Sequence, residues 1–66
     1  MARYFAIPQQ ADGTDRMGTD GVLAGEYQSL DNFKRFNRRH TKPNTTYNLY
    51  LKTSNDWIQR GEWNGS

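Results

Sequence analysis

A chain of 66 residues has room for one domain and a modest core, since a domain of this length buries only about 60% of its unfolded surface. Cysteine is absent, which excludes a disulfide scaffold and Cys-based zinc sites and fits a reducing compartment. The net charge of +2 hides a strong asymmetry: residues 1–31 set two cations against five acids, a balance of −3, and residues 32–66 set seven cations against two acids, a balance of +5.

No apolar run approaches the roughly 20 residues of a membrane span. Met1–Pro8 has too short an apolar stretch for a signal peptide, so the expected location is cytoplasmic. The composition is polar, yet 14% of residues are aromatic. Disordered chains are poor in aromatics, so a folded domain follows, with Tyr, Phe and Trp supplying much of its core.

In chain order, Arg3–Ile7 reads as a short strand: Tyr4, Phe5 and Ile7 favour extended backbone, and Pro8 ends it or places it at an edge. Residues 9–21 read as a flexible loop. Gly-Thr-Asp occurs there twice, at 13–15 and 18–20, and this is turn chemistry. Val22–Tyr27 reads as a second strand, weakened by Gly25, that forms a hairpin with residues 3–7.

A helix is predicted over Ser29–His40. Ser29 suits an N-cap, Asp31 complements the positive dipole end, and Arg38, Arg39 and His40 suit the last turn. Thr41-Lys42-Pro43-Asn44 stops it. At about 100° per residue, Phe33, Phe36 and His40 gather on one side, with Leu30 and Asn37 beside them. Lys34, Arg35, Arg38 and Arg39 cover the other side, giving an amphipathic helix with a basic outer face.

The C-terminal third reads as a hairpin. Tyr47, Leu49 and Leu51 alternate with polar neighbours, the period-2 pattern of a half-buried strand. Ser54-Asn55-Asp56 makes the turn and Trp57–Trp63 returns. A three-residue loop pairs Leu51 with Gln59, Leu49 with Gly61 and Tyr47 with Trp63. It puts Trp57 and Trp63 on the leucine face, with Tyr50 and Ile58 opposite; a slip of one residue reverses that relation. Asn64–Ser66 reads as a frayed tail. The expected fold is one α+β domain over residues 1–66: a small antiparallel sheet of three or four strands, in the order β-β-α-β-β, packed against one amphipathic helix.

Catalytic residues are not evident, and no cofactor is implied. His40 is the only histidine, and such a residue in a helix's last turn is more often a dipole partner or packed ring than a base. Asp12, Asp15 and Asp20 lack the spacing of a calcium loop and read as turn formers, so no metal site is expected. The basic face is the feature with functional content. Lys34, Arg35, Arg38 and Arg39, extended by Lys42, suit an anionic partner, although charged helix faces are common. Tyr50 and Trp57 or Trp63, whichever lies on the open sheet face, are the aromatic contact candidates; packing into the core is the competing role for them.

Tyr27-Gln28-Ser29-Leu30-Asp31-Asn32-Phe33-Lys34-Arg35-Phe36, followed by a Tyr- and Trp-bearing hairpin, resembles small phage-encoded anti-CRISPR proteins over residues 22–63. The Gly-Thr-Asp loop departs from their compact form. The resemblance implies a non-catalytic inhibitor acting on a host defence complex, in the host cytoplasm, with Lys34 and Arg35 where a basic helix face recurs.

The leading expectation is therefore a non-enzymatic binding protein that docks on a host protein or protein–nucleic-acid complex. The alternative is a nucleic-acid-binding module using the same helix or the aromatic sheet face. A small nuclease built on His40 and an aspartate is the third reading. A homodimer is compatible with the first two, because so short a core gains from a second copy.

Overall fold

The computed structural model describes residues 1–16 and 21–65. Four strands and one helix follow in the expected chain order: β1 (Ala2–Pro8), β2 (Leu23–Tyr27), α1 (Leu30–Asn37), β3 (Tyr47–Lys52) and β4 (Trp57–Trp63), with a 3-10 turn at Arg38–His40. All strand pairs are antiparallel, and the spatial order is β2-β1-β3-β4. The fold is thus α+β, with one helix and a four-stranded antiparallel sheet.

β1 lies inside the sheet, between β2 and β3, so Pro8 marks its end rather than a sheet edge. A proline has no N–H for the ladder, and its carbonyl accepts the Arg16 N–H at 2.8 Å. β1 and β2 form the expected hairpin, with Ala2 opposite Tyr27 and Ala6 opposite Leu23. Gly25, which weakens β2 on propensity, has a packing reason: a Cβ there would collide with the Tyr27 ring. β2 and β3 are both antiparallel to β1, so they run parallel to each other with β1 between them. Such a connection needs a long crossover, and α1 lies within it.

Alternation sends residues 2, 4 and 6 of β1 and 47, 49 and 51 of β3 to the helix side. There Tyr4, Ala6, Phe33, Tyr47 and Leu49 form the buried core, ringed by Ala2, Leu23, Tyr27, Leu30, Leu51 and Trp63. The aromatic supply expected from composition is realised: Phe33 meets the rings of Tyr4, Tyr27 and Trp63.

The helix begins as expected. Ser29 is extended, and its Oγ accepts the Asn32 N–H at 3.2 Å. The α-helical part is shorter than predicted, because it ends at Asn37 and tightens into the 3-10 turn. Asn37 is buried and its Nδ2 donates to the Phe33 carbonyl at 3.0 Å and to Tyr27 Oη at 3.2 Å. A polar side chain turned back on the preceding turn competes with regular helix. The expected apolar stripe is also broken. Phe33 is buried, but Phe36 is 61% exposed and His40 is exposed.

The C-terminal hairpin corrects one expectation. Its loop has four residues, Thr53–Asp56, closed by the Thr53 N–H to the Asp56 carbonyl at 2.9 Å, and Lys52 pairs with Trp57. Tyr47–Trp63 and Leu49–Gly61 pair as predicted, but a bulge between Leu49 and Tyr50 leaves Arg60 as an extra residue, so Leu51 meets Ile58 and Tyr50 meets Gln59. Trp57 therefore lies on the face of Tyr50, and Ile58 on the leucine face. The neighbouring Gly61 has φ 138°, a backbone state suited to glycine.

Part of the 9–21 stretch is built onto the sheet face away from α1. Gln9 bridges to Asp15, and the Gln10 N–H donates to the Thr14 carbonyl at 2.6 Å. Asp12 Oδ1 accepts the Thr14 hydroxyl at 2.7 Å and the Thr14 N–H at 3.0 Å, and these bonds hold its carboxyl below its ordinary pKa. The second Gly-Thr-Asp lies outside the described residues. At the other end, Gly65 is half-buried close to Trp63 and Thr41.

Candidate functional site

The sequence-derived contact residues fall on two opposed faces rather than one. Lys34, Arg35, Arg38, Arg39 and Lys42 lie on or just after the helix, all exposed except the half-buried Lys34. Tyr50 and Trp57 lie on the far face of the sheet, as the β3–β4 pairing requires. The helix cations and these aromatics therefore cannot act as one patch.

On the helix side the cations outnumber the acids. Among the described residues the one salt bridge within 4 Å is Arg3–Glu26, at 3.9 Å, and none of the five cations has an acidic partner. Asp31 is the only acid on α1. Lys42 is fixed through its backbone, whose N–H donates to Tyr47 Oη at 3.0 Å. The exposed Phe36 ring is stacked on Tyr27, with 5.8 Å between centroids and 13° between planes. Charge counting misses Phe36 because its helical spacing assigns it to the core.

The open sheet face has a different chemistry. Phe5 packs against Trp57 at 4.8 Å, and Tyr50 meets Trp57 at 6.1 Å and 87°. Arg3 lies 5.7 Å from the Phe5 ring centre, and Lys52 Nζ lies 5.3 Å from that of Trp57. Alternation also places Asp15's partners here: Asn48 Nδ2 donates to Asp15 Oδ1, and Tyr50 Oη donates to Asp15 Oδ2 at 2.5 Å. Gln9 Nε2 donates to Asn48 Oδ1 at 2.5 Å. Period-2 alternation in β1 was a signal for Phe5 and Arg3. Nothing local marks Asp15, which meets β3 across more than 30 residues of chain.

The Tyr50 phenol is pushed up to about 12, first by its hydrogen bond to Asp15, then by burial and by the Asp15 charge. Its folded pKa exceeds the ordinary value of 10.0. Its contribution to stability is thus fully present below pH 10 and is lost as pH rises toward 12. Tyr50→Phe is expected to remove this alkaline dependence and to cost about 1 kcal/mol, a figure reduced for solvent screening. Urea denaturation of both forms between neutral pH and about pH 11 checks it; parallel pH profiles would contradict the assignment.

Among the described residues no three His, Asp or Glu side chains come together as a metal site, and no helix is long and apolar enough to cross a membrane. The arrangement defines a small α+β domain with a cationic helix face and an aromatic sheet face. No protein-family model matches the chain, and neither the curated proteins nor the solved structures give a match.

Proposed function

We propose that this chain is a non-enzymatic docking protein whose cationic helix face engages an acidic surface on a partner protein. The observation that carries the reading is the group of cations Lys34, Arg35, Arg38 and Arg39, none of them paired with an acid among the described residues, on a helix that also exposes the Phe36 ring. Exposed aromatics and arginine dominate the binding energy at protein interfaces. The anti-CRISPR resemblance of residues 22–63 supports a host defence complex as the partner and the host cytoplasm as the place of action.

Affinity capture from host lysate, with and without nuclease, tests the proposal. The expected result is a stoichiometric protein partner that survives nuclease treatment. Phe36→Ala should weaken its binding by about tenfold, and paired R35E/R39E by more. Recovery of nucleic acid alone would reject the reading in favour of direct nucleic-acid binding, whose affinity falls steeply with salt.

A further inference from the structure

We propose that the recess between Tyr50 and Trp57 on the open sheet face is a binding site for an alkylated ammonium group. The recess has a volume of about 150 Å³ and is lined by Ile7, Asp15, Tyr50 and Trp57. The two rings meet edge to face at 87° with centroids 6.1 Å apart, and both border the recess at right angles to each other. Ile7, 2% exposed, supplies an apolar base, and the Asp15 carboxylate adds a negative charge. Aromatic faces attract cations through their quadrupoles, and aromatic cages are a recurrent solution for quaternary ammonium.

The hydrogen bonding selects among cations. Each Asp15 oxygen already accepts a side-chain donor, Asn48 Nδ2 on Oδ1 and Tyr50 Oη on Oδ2. These bonds fix the carboxylate in place and use part of its acceptor capacity. A lysine ammonium brings three N–H donors and a guanidinium five, and in this corner most of them would lose water without gaining an acceptor. A quaternary ammonium has charge and no donors, so it loses nothing of that kind. The affinity of Trp57 for a cation is already visible, because Lys52 Nζ lies 5.3 Å from its ring centre while donating to the Thr53 carbonyl at 2.7 Å. Phe5 backs Trp57 at 4.8 Å and limits its movement. Trp57 remains 44% exposed, so the corner is open to a ligand.

The chemistry is shared by free choline-like molecules and by a trimethylated lysine side chain. The test is an NMR titration of the purified full chain, following the backbone amides of Ile7, Asp15 and Tyr50, which line the recess, and in the native chain the Trp57 indole N–H as well. The probes are choline, its neutral tert-butyl analogue, and a peptide with lysine either trimethylated or unmodified. Choline and the trimethylated peptide are expected to bind at least about tenfold more tightly than the neutral analogue and the unmodified peptide. The tighter of the two binders identifies the source. Trp57→Ala should weaken binding by about tenfold. Asp15→Asn, which keeps the side chain's shape, should remove most of the preference for the cation over its neutral analogue. Equal binding of the neutral analogue to the native chain, unchanged affinity in Trp57→Ala, or shifts confined to residues away from the recess would each overturn the proposal.

Discussion

Phe33→Ala is expected to leave the chain largely unfolded at room temperature. Phe33 is fully buried, and its ring lies 6.0 Å from Tyr4, 5.6 Å from Tyr27 and 6.2 Å from Trp63. It is the side chain that ties α1 to three of the four strands. Truncating a buried phenylalanine costs about 3–5 kcal/mol, as transfer and cavity terms add. A domain of this length has roughly 3–10 kcal/mol of total stability, so the loss takes most of it. Urea denaturation followed by circular dichroism measures the effect, and a loss under about 1 kcal/mol would show that the ring is not packed as described. Phe36→Ala is the matched control. Its ring is 61% exposed, and about 1 kcal/mol of stability is at stake in its stacking on Tyr27. Two phenylalanines three residues apart should therefore differ by several-fold in cost, one serving the fold and the other the surface.

Asn48→Ala is expected to release the 9–16 segment from the sheet and to cost about 2–4 kcal/mol. Asn48 is 6% exposed and stands at the centre of the open-face network, donating to Asp15 and accepting from Gln9. Its removal leaves the Asp15 carboxylate with Tyr50 as its remaining side-chain donor among the described bonds. Bonds to an ionised group are worth more than neutral ones, which sets the size of the effect. Hydrogen exchange separates this loss from global unfolding. The Gln10 and Arg16 amides, bonded to the Thr14 and Pro8 carbonyls, should lose protection before the β1–β3 ladder does. Asn48→Asp sharpens the test by setting a second carboxylate against Asp15. Like charges at that separation raise the pKa of one partner, so the variant should be weakest at neutral pH and recover part of its stability toward about pH 4. Unchanged exchange at Gln10 and Arg16 in Asn48→Ala would contradict the network.

Local chemistry alone determined the parts of this protein that depend on neighbours in sequence. The Ser29 cap and the antiparallel hairpins were legible, because capping and alternation act within a few positions. So was the basic character of the helix face, which is a property of composition. The Tyr47–Trp63 and Leu49–Gly61 pairs match the expected ones only because the extra Arg60 offsets a loop one residue longer than read. What the tertiary structure decided was which residues share a surface. The bulge at Arg60 turned Trp57 toward Tyr50 instead of toward the leucines, since a single extra residue moves side chains across a sheet. Asn37, folded back onto Phe33 and Tyr27, shortened the helix, and Phe36 lies in solvent against Tyr27 instead of in the core. Asp15 became part of the aromatic face only because its segment lies over β3. Each of these outcomes rests on contacts or strand offsets that no short window of sequence encodes. The basic face was thus readable in advance, whereas the exposure of Phe36 and the separate Tyr50–Trp57 recess exist only in the folded chain.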